Sequence, residues 1–339
     1  MGKVPQYNSN MLRILFIVLF CTVASLHSQD GGTFAFWNVE NLFDLYDDPV
    51  KNDDEFALNG KKNNSVERFQ LKLDHMAEVM TELNADVLGL CEVENHYVLD
   101  QLNRTFTARN YSIIHVDSPD ERGIDVALLY DPDYIQILHE GVIPVPLPND
   151  DKTRDILYVV GRRAGHDIHI FINHWPSKWG GVEATIPLRA AAGKTLRRAV
   201  DRILSVDSFA DILIMGDLND EPFEPSITEH LGAPLYRGQD VTEFTLTDLM
   251  TTVFDAPDQG TYMFNGKHSV IDHIIVSRGI LDSRGWSGSI KDVRVLDKSK
   301  YRQQSGKYKD YPFRFWAGNR LLGGYSDHLP VLIRLTVAP

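Results

Sequence analysis

Ile212-Leu213-Ile214-Met215-Gly216-Asp217-Leu218-Asn219-Asp220 begins as a short apolar, β-prone run and gives way at a glycine to acids and amides. The run reads as a strand, and its polar end lies where the chain leaves the sheet. The same grammar recurs along the sequence. Thr33–Trp37 runs into Asn38-Val39-Glu40-Asn41, Val87–Cys91 into Glu92-Val93-Glu94-Asn95, and Ile168–Ile172 into Asn173-His174-Trp175. Val270-Ile271 meets Asp272-His273, and Tyr325-Ser326 meets Asp327-His328 just before an apolar Val331–Val337. One polar strand end is unremarkable. Six that carry only Asn, Glu, Asp or His are different, because the strand ends of one sheet converge in space. Carboxylates that meet away from water are costly, and a hard cation offsets that cost.

Outward from these ends, Ile124–Tyr130 and Ile156–Val160 add further strands, while Glu67–Leu83 and Leu188–Val206 space their apolar residues as helices. Some strands alternate polar and apolar residues and others are continuously apolar, which predicts two stacked sheets flanked by helices. No internal repeat or low-complexity linker follows residue 30, so one domain is expected over 30–338, acting as a monomer.

The chain has 339 residues, 43% hydrophobic and 24% charged, which excludes disordered, collagenous and multi-span membrane classes. Its formal net charge of −13 opposes electrostatic coating of a polyanion, and fits either a soluble surface or a carboxylate site for a cation. With two cysteines, Cys21 and Cys91, neither a disulfide framework nor a cysteine-rich zinc site can form. Cys91 lies in an apolar run and is expected to be buried and unreactive. Arg13 followed by apolar Ile14–Leu26 and polar Ser28-Gln29-Asp30 suits a secretory signal over residues 1–28, with Met11 as an alternative start. The run is short for a membrane span, and bulky Phe20 disfavours acylation of Cys21. Export to the periplasm or beyond, with no stable membrane span, is the expectation.

Carboxylates and amides without a cysteine cluster select Mg²⁺ or Mn²⁺, with Ca²⁺ also open. His174 and His328 could supply proton transfer and a donor to phosphate, with Asp272 orienting His328. Asp217 and Asn219 could hold an attacking water and the scissile phosphate. No serine or cysteine stands beside a histidine in a way that predicts a covalent intermediate, so direct attack by water is preferred.

Taken together, Asn38-Val39-Glu40-Asn41, Cys91-Glu92, Asn173-His174, Gly216-Asp217-Leu218-Asn219, Ile271-Asp272-His273 and Ser326-Asp327-His328 resemble the successive motifs of the endonuclease/exonuclease/phosphatase superfamily. The resemblance spans residues 30–338. It implies an α/β fold, a deoxyribonuclease-I-like, four-layered α/β/β/α sandwich of two packed mixed sheets. It implies Glu92 as principal metal ligand, with Asn38 or Glu40 and Asp327 close by. Asp217 would orient or deprotonate water, Asn219 would contact the phosphate, and His174 would donate to phosphate or leaving group. His328, paired with Asp272, would be the remaining catalytic histidine.

Lys178 and Arg189 are candidate phosphate contacts, and a looser match places Asp117 and Arg122 ahead of a strand where nucleases of the family position a histidine partner and a phosphate contact, which makes Arg122 a further substrate-binding candidate. Glu94, Asp220 and Glu221 read as solvated turn or helix-start acids, and His273 as a structural neighbour pointing away from Asp272. Between Lys298 and Arg320 lie seven bases against the single acid Asp310, interleaved with aromatics, the composition of a nucleic-acid groove. The leading expectation is an exported, divalent-metal-dependent phosphodiesterase acting as a nuclease. A sphingomyelinase-like phosphoesterase and a non-catalytic binding module on the same fold are the alternatives. Absence of a tryptophan-threonine-aspartate-arginine motif before Ile274 disfavours the inositol-phosphatase branch.

Overall fold

A computed structural model describes residues 1–2 and 30–339. The leader expected over residues 1–28 therefore lies almost wholly outside the described residues. Among the described residues, no helix is long and apolar enough to cross a membrane.

Two mixed sheets carry the fold. One runs in the order Trp286–Ser287, Val331–Val337, Asp30–Leu42, Val87–Val93, Asp125–Tyr130, Ser112–His115, with Val293–Val295 also paired to Val331–Val337. The other runs Gln136–Ile143, Ile156–Arg163, His166–His174, Ile212–Asp217, Asp272–Ser277, Leu246–Asp248. Each contains one parallel pair near its centre, Asp30–Leu42 with Val87–Val93 and His166–His174 with Ile212–Asp217. The α/β/β/α layering implied by the resemblance is the layering found.

The period of two along a strand builds the layers. Phe34 and Phe36 point into the core between the sheets, where they join Met215, Ile172 and Ile274. Their neighbours Ala35 and Trp37 point outward beneath Leu73, Met76 and Leu99 of the helices Val66–Leu83 and His96–Thr105. On the other sheet, Ile214 and Ile275 point outward against Leu196 and Val200 of the helix Val182–Leu204. The sheets approach so closely at Gly89 that a Cβ there would lie 2.6 Å from the Ile172 side chain.

Three differences from the sequence reading have physical causes. The helix expected from Leu188 starts at Val182, with Pro187 accommodated inside it. The amide missing at Pro187 would have served a carbonyl in an exposed turn, where water takes its place. The helix His96–Thr105 is short, and is nucleated by Asn95, whose side chain accepts from Val98 N at 3.0 Å. Gln136–Ile143 is an edge strand with largely exposed residues, so it lacks the apolar signature of its neighbours.

Candidate active site

Topology brings the polar strand ends together. His166–His174 and Ile212–Asp217 are parallel and end side by side, with His174 in register with Asp217. Asp272–Ser277 is antiparallel to Ile212–Asp217, so its first residue meets the latter's last, Asp272 opposite Asp217. His174, Asp217 and Asp272 thus form one row facing the other sheet. Gly216 permits the close approach of the first two strands, since a Cβ there would meet the Asn173 carbonyl oxygen at 2.5 Å.

The facing sheet contributes Asn38 and Glu92. Glu92 sits at φ 62°, and the pairing register of its strand shifts between Cys91 and Val93. This bulge reverses the facing parity. Leu88, Leu90 and Val93 all pack under the helices, so an unbroken period of two would have turned Glu92 outward with Leu88 and Leu90. A second irregularity lies between Asn38 and Leu42, with Glu40 at φ 54° and Asn41 at φ 59°. Asn219 stands at φ 54° as well. Left-handed backbone at residues with side chains is uncommon, and its concentration here marks a place where positioning outweighs local preference.

Across the gap, Asn38 Nδ2 donates to Asp217 Oδ2 at 3.0 Å and to Glu92 Oε1 at 3.3 Å. The second oxygen of Glu92 accepts from Asn41 N at 3.0 Å. His174 Nε2 lies 3.8 Å from Asp217 Oδ2 and 3.9 Å from Glu92 Oε1, and its buried Nδ1 has no hydrogen-bond partner. His328 Nδ1 is 2.8 Å from Asp272 Oδ2, while its Nε2 is 3.7 Å from Asp217 Oδ2. Ser326 Oγ donates to Asn38 O and accepts from His328 N, tying the last motif to the first. Asn219 bonds through its N to Asp217 Oδ1 and through Nδ2 to Trp175 O.

Burial sets the electrostatics. Burial pushes the Asp217 carboxyl above the usual range, and Asp272 adds to this while His328 opposes it. Burial pulls His174 well below the ordinary imidazole range, and the charges of Arg154, Arg122 and His328 act in the same direction. For His328, burial also lowers, but the carboxylates of Asp272 and Asp217 outweigh it and hold the imidazolium well above that range. The two histidines are therefore tuned apart, one neutral and one charged near neutrality.

The donors suit a hard divalent cation. Glu92, Asn38 and Asp217 offer oxygen and amide groups within one small volume, and Cys91 with His174 and Asp217 or Asp272 with His328 and Asp217 also cluster closely. Burial raises the Cys91 thiol well above its ordinary value, which disfavours the thiolate that zinc would prefer.

Several residues stand elsewhere than the sequence suggested. Glu40 faces away from Glu92, accepting from Trp316 N at 2.9 Å and Phe315 N at 2.5 Å, with Arg314 Nε 3.4 Å away. It anchors the 314–316 stretch, and burial followed by the Asp327 charge raises its carboxyl. Asp327 pairs with Arg314 at 2.5 Å. Arg189 is neither a phosphate contact nor a helix-surface residue. It is 1% exposed and lies 2.7 Å from Asp220 Oδ2. Lys178 is likewise engaged, 3.1 Å from Asp220 Oδ1 and 3.8 Å from Glu224. Asp220 is therefore a buried counter-ion and not a solvated turn acid. Glu94 is half-buried and accepts from Asp44 N at 2.6 Å, and burial pushes its carboxyl up to about 8. Glu221 accepts from Val270 N. Trp175 is buried, whereas Trp179 in the same loop is exposed.

Arg122 is half-exposed, bonds through its N to Asp120, and contributes its charge to His174. Asp117 is exposed and lies near His115. The sequence reading passed over Arg154, which is buried and spans Asp120 Oδ2 at 2.9 Å and Trp175 O at 2.7 Å. One arginine ahead of a strand carries no signal by itself. Tyr262 was also missed, its ring 4.9 Å from that of His328.

His273 points to the opposite face from Asp272, as the strand period requires. Its Nδ1 is 2.7 Å from Asp248 Oδ2 and its Nε2 is 3.0 Å from the Asp220 carbonyl oxygen. Two acceptors demand two donors, so the ring is an imidazolium. Burial opposes that state, but the Asp248 carboxylate outweighs it and raises the group. Replacing His273 by Gln should cost about 3 kcal/mol of stability, because Asp248 is left buried and unpaired. A raised histidine contributes stability fully below its unfolded value, and that contribution is lost as pH rises through the folded one. Urea unfolding of both proteins at about pH 6 and about pH 9 checks this. A difference that does not shrink at the higher pH contradicts the imidazolium.

Comparison with known proteins gives the same frame. The chain matches the model of the Endonuclease/Exonuclease/phosphatase family over residues 33–337. No curated protein sequence matches it. Its fold is similar to that of truncated TDP2 from Caenorhabditis elegans, at 17% identity and TM-score 0.57, covering 91% of this chain and 98% of that one. The human Nocturnin catalytic domain with bound sulfate anion aligns at 16% identity and TM-score 0.56, over 91% and 96% of the two chains. An endonuclease/exonuclease/phosphatase family protein from Bacteroides thetaiotaomicron aligns at 17% identity and TM-score 0.57, over 91% and 95%. At these identities the structures establish likeness of fold. The family model extends across nearly the whole chain and every motif described above, and the chain belongs to the endonuclease/exonuclease/phosphatase family, whose enzymes are hydrolases of phosphodiester bonds.

Proposed function

We propose that this protein is an exported, divalent-metal-dependent nuclease that hydrolyses a phosphodiester by direct attack of water and acts as a monomer. The observation that carries the reading is the convergence of Asn38, Glu92, Asp217, His174 and the Asp272–His328 pair from the facing ends of two sheets. Export rests on the apolar Ile14–Leu26 run.

Glu92 and Asn38, with Asp327 nearby in the final motif, would hold Mg²⁺ or Mn²⁺. Bound there, the ion supplies charge neutralisation for a phosphoryl oxygen. Asp217 accepts the proton of the attacking water, and Asn219 steadies the phosphate beside it. His174, kept neutral by burial, donates one hydrogen bond without adding a full charge. His328, held as an imidazolium by Asp272, stabilises the charge that grows on the phosphate and can return a proton. Arg122 contributes positive charge at the rim. A fish TDP2 of similar fold has been solved with a single-strand DNA product, at 13% identity and TM-score 0.57, which agrees with a nucleic-acid substrate for this chain.

The test is a panel of plasmid DNA, RNA, single-stranded oligonucleotide, a generic phosphodiester and sphingomyelin, each with Mg²⁺, Mn²⁺ or excess chelator. Nucleic acid should be cleaved with the metals, and chelator should reduce the rate at least about 100-fold. Hydrolysis of lipid but not nucleic acid overturns the nuclease reading, and full activity in chelator overturns the metal.

A further inference from the structure

The basic, aromatic segment 298–320 is not the uniform groove that its composition suggests. Four of its seven bases are paired within the chain. Lys298 and Lys300 bind Glu82, and Lys300 also binds Glu78. Arg302 binds Asp297, and Arg314 binds Asp327 and Glu40. Among the described residues, Lys307, Lys309 and Arg320 have no ion pair.

Two of these three, Lys307 and Arg320, line a cavity of about 710 Å³ together with Tyr262, Phe264, Tyr308 and Tyr311. Asp327 and Arg314 also line it, and the Tyr262 ring lies 4.9 Å from that of His328 and tilted 34° to it, so Tyr262 stands between the cavity and the catalytic histidine. One wall is the hairpin Tyr262–Phe264 and Lys267–Ser269, the other the 303–312 stretch, and Tyr311 Oη accepts from Gly266 N to join them. Phe264 and Tyr308 are 62% and 54% exposed; Lys307 Nζ lies over the Tyr308 ring at 5.2 Å from its centroid and Tyr311 meets that ring edge-on, so a planar ligand on Tyr308 uses its other face.

Exposed aromatic rings and cations without ion pairs next to a phosphate-cleaving centre select a ligand with a planar ring and a second anionic group. A nucleotide has both. An acyl chain has neither, and would set apolar surface against the cations Lys307 and Arg320 and the Asn265 amide in this lining. We propose that the cavity is the subsite for one nucleotide adjacent to the scissile phosphate, its base on Tyr308 or Phe264 and its next phosphate met by Lys307 and Arg320. The identity of the scissile phosphate rests on the nuclease reading above.

The experiment uses the full chain and the variants Tyr308→Ala, Tyr308→Phe, Arg320→Gln and Lys309→Gln, none of which removes a buried group. With a single-stranded oligonucleotide, Tyr308→Ala and Arg320→Gln are expected to raise KM about tenfold at nearly unchanged kcat. Tyr308→Phe should restore KM, and Lys309→Gln, which lies outside the cavity, should not alter it. In parallel, equilibrium binding of a nucleoside monophosphate to His328→Ala reports on the cavity without turnover, and should be lost on adding Tyr308→Ala. Unchanged KM in all variants with active wild-type nuclease overturns the subsite alone. A wild-type protein that cleaves no nucleic acid but retains the mononucleotide overturns the nuclease reading alone. Failure of both cleavage and mononucleotide binding overturns the two together.

Discussion

Asp217→Asn should reduce phosphodiester hydrolysis about 10³-fold while leaving the fold intact and, in chelator, more stable than the parent. The substitution keeps shape, an amide oxygen can still accept from Asn219 N, and Asn38 Nδ2, which loses the second carboxylate oxygen, keeps Glu92 Oε1 as its acceptor. What disappears is the group that takes the proton of the attacking water. Stability should move in the opposite direction from activity because burial already disfavours this carboxylate, raising it above the usual range. A raised carboxyl destabilises the fold at pH values above its unfolded value, and a neutral amide removes that penalty. Rates with Mg²⁺ and thermal unfolding in chelator check the two halves separately. Activity within about tenfold of the parent removes Asp217 from the proposed role.

Asp272→Asn should be as severe, about 10³-fold, and should leave a distinct signature in the pH dependence. Asp272 touches His328 Nδ1 at 2.8 Å and is a positioning residue, since it acts through the imidazole. Its carboxylate fixes the ring orientation and, against the burial that lowers His328, raises the group well above its ordinary value. An amide provides neither the charge nor a strict acceptor. The limb of the pH–rate profile that reports loss of the His328 proton should therefore shift to lower pH. A depressed rate with an unshifted limb would mean a structural role and no electrostatic one.

The low basic balance of the chain has a more specific meaning once the ion pairs are known. Three of the seven bases of the 298–320 segment secure it to the helix Val66–Leu83 and to the final motif, Arg302 pairs with Asp297, and three are left to meet a ligand. Glu40 has the same tethering function from the first motif, holding Phe315 and Trp316. Binding should therefore depend on a small number of contacts, and a salt slope equivalent to about two phosphate contacts is expected for an oligonucleotide. Affinity measured from low to high salt tests this, and a much steeper slope would require a larger basic surface than the chain presents.

Unlike the edge strands Ser112–His115, Gln136–Ile143 and Leu246–Asp248, the central strands, the order of the polar ends and the residue types at the site were legible in the sequence. They depend on short-range rules: the period of two, the apolar runs, and the change from apolar to polar where a strand leaves the core. Asn38, Glu92, His174, Asp217, Asp272 and His328 could be named because each follows or precedes such a run. Tertiary structure decided which way they face and what they face. The bulge at Glu92 turns one carboxylate from the helix side to the site, and a single residue of register controls that. Arg189 and Lys178 have the right charge for phosphate, yet Asp220 lies across the fold and takes both. Arg154 is inconspicuous in the sequence and reaches Trp175 and Asp120 only when three segments meet. A local pattern determines whether a side chain is buried or polar. The partner that satisfies a buried charge comes from distant segments, and its identity depends on the packed arrangement of both sheets.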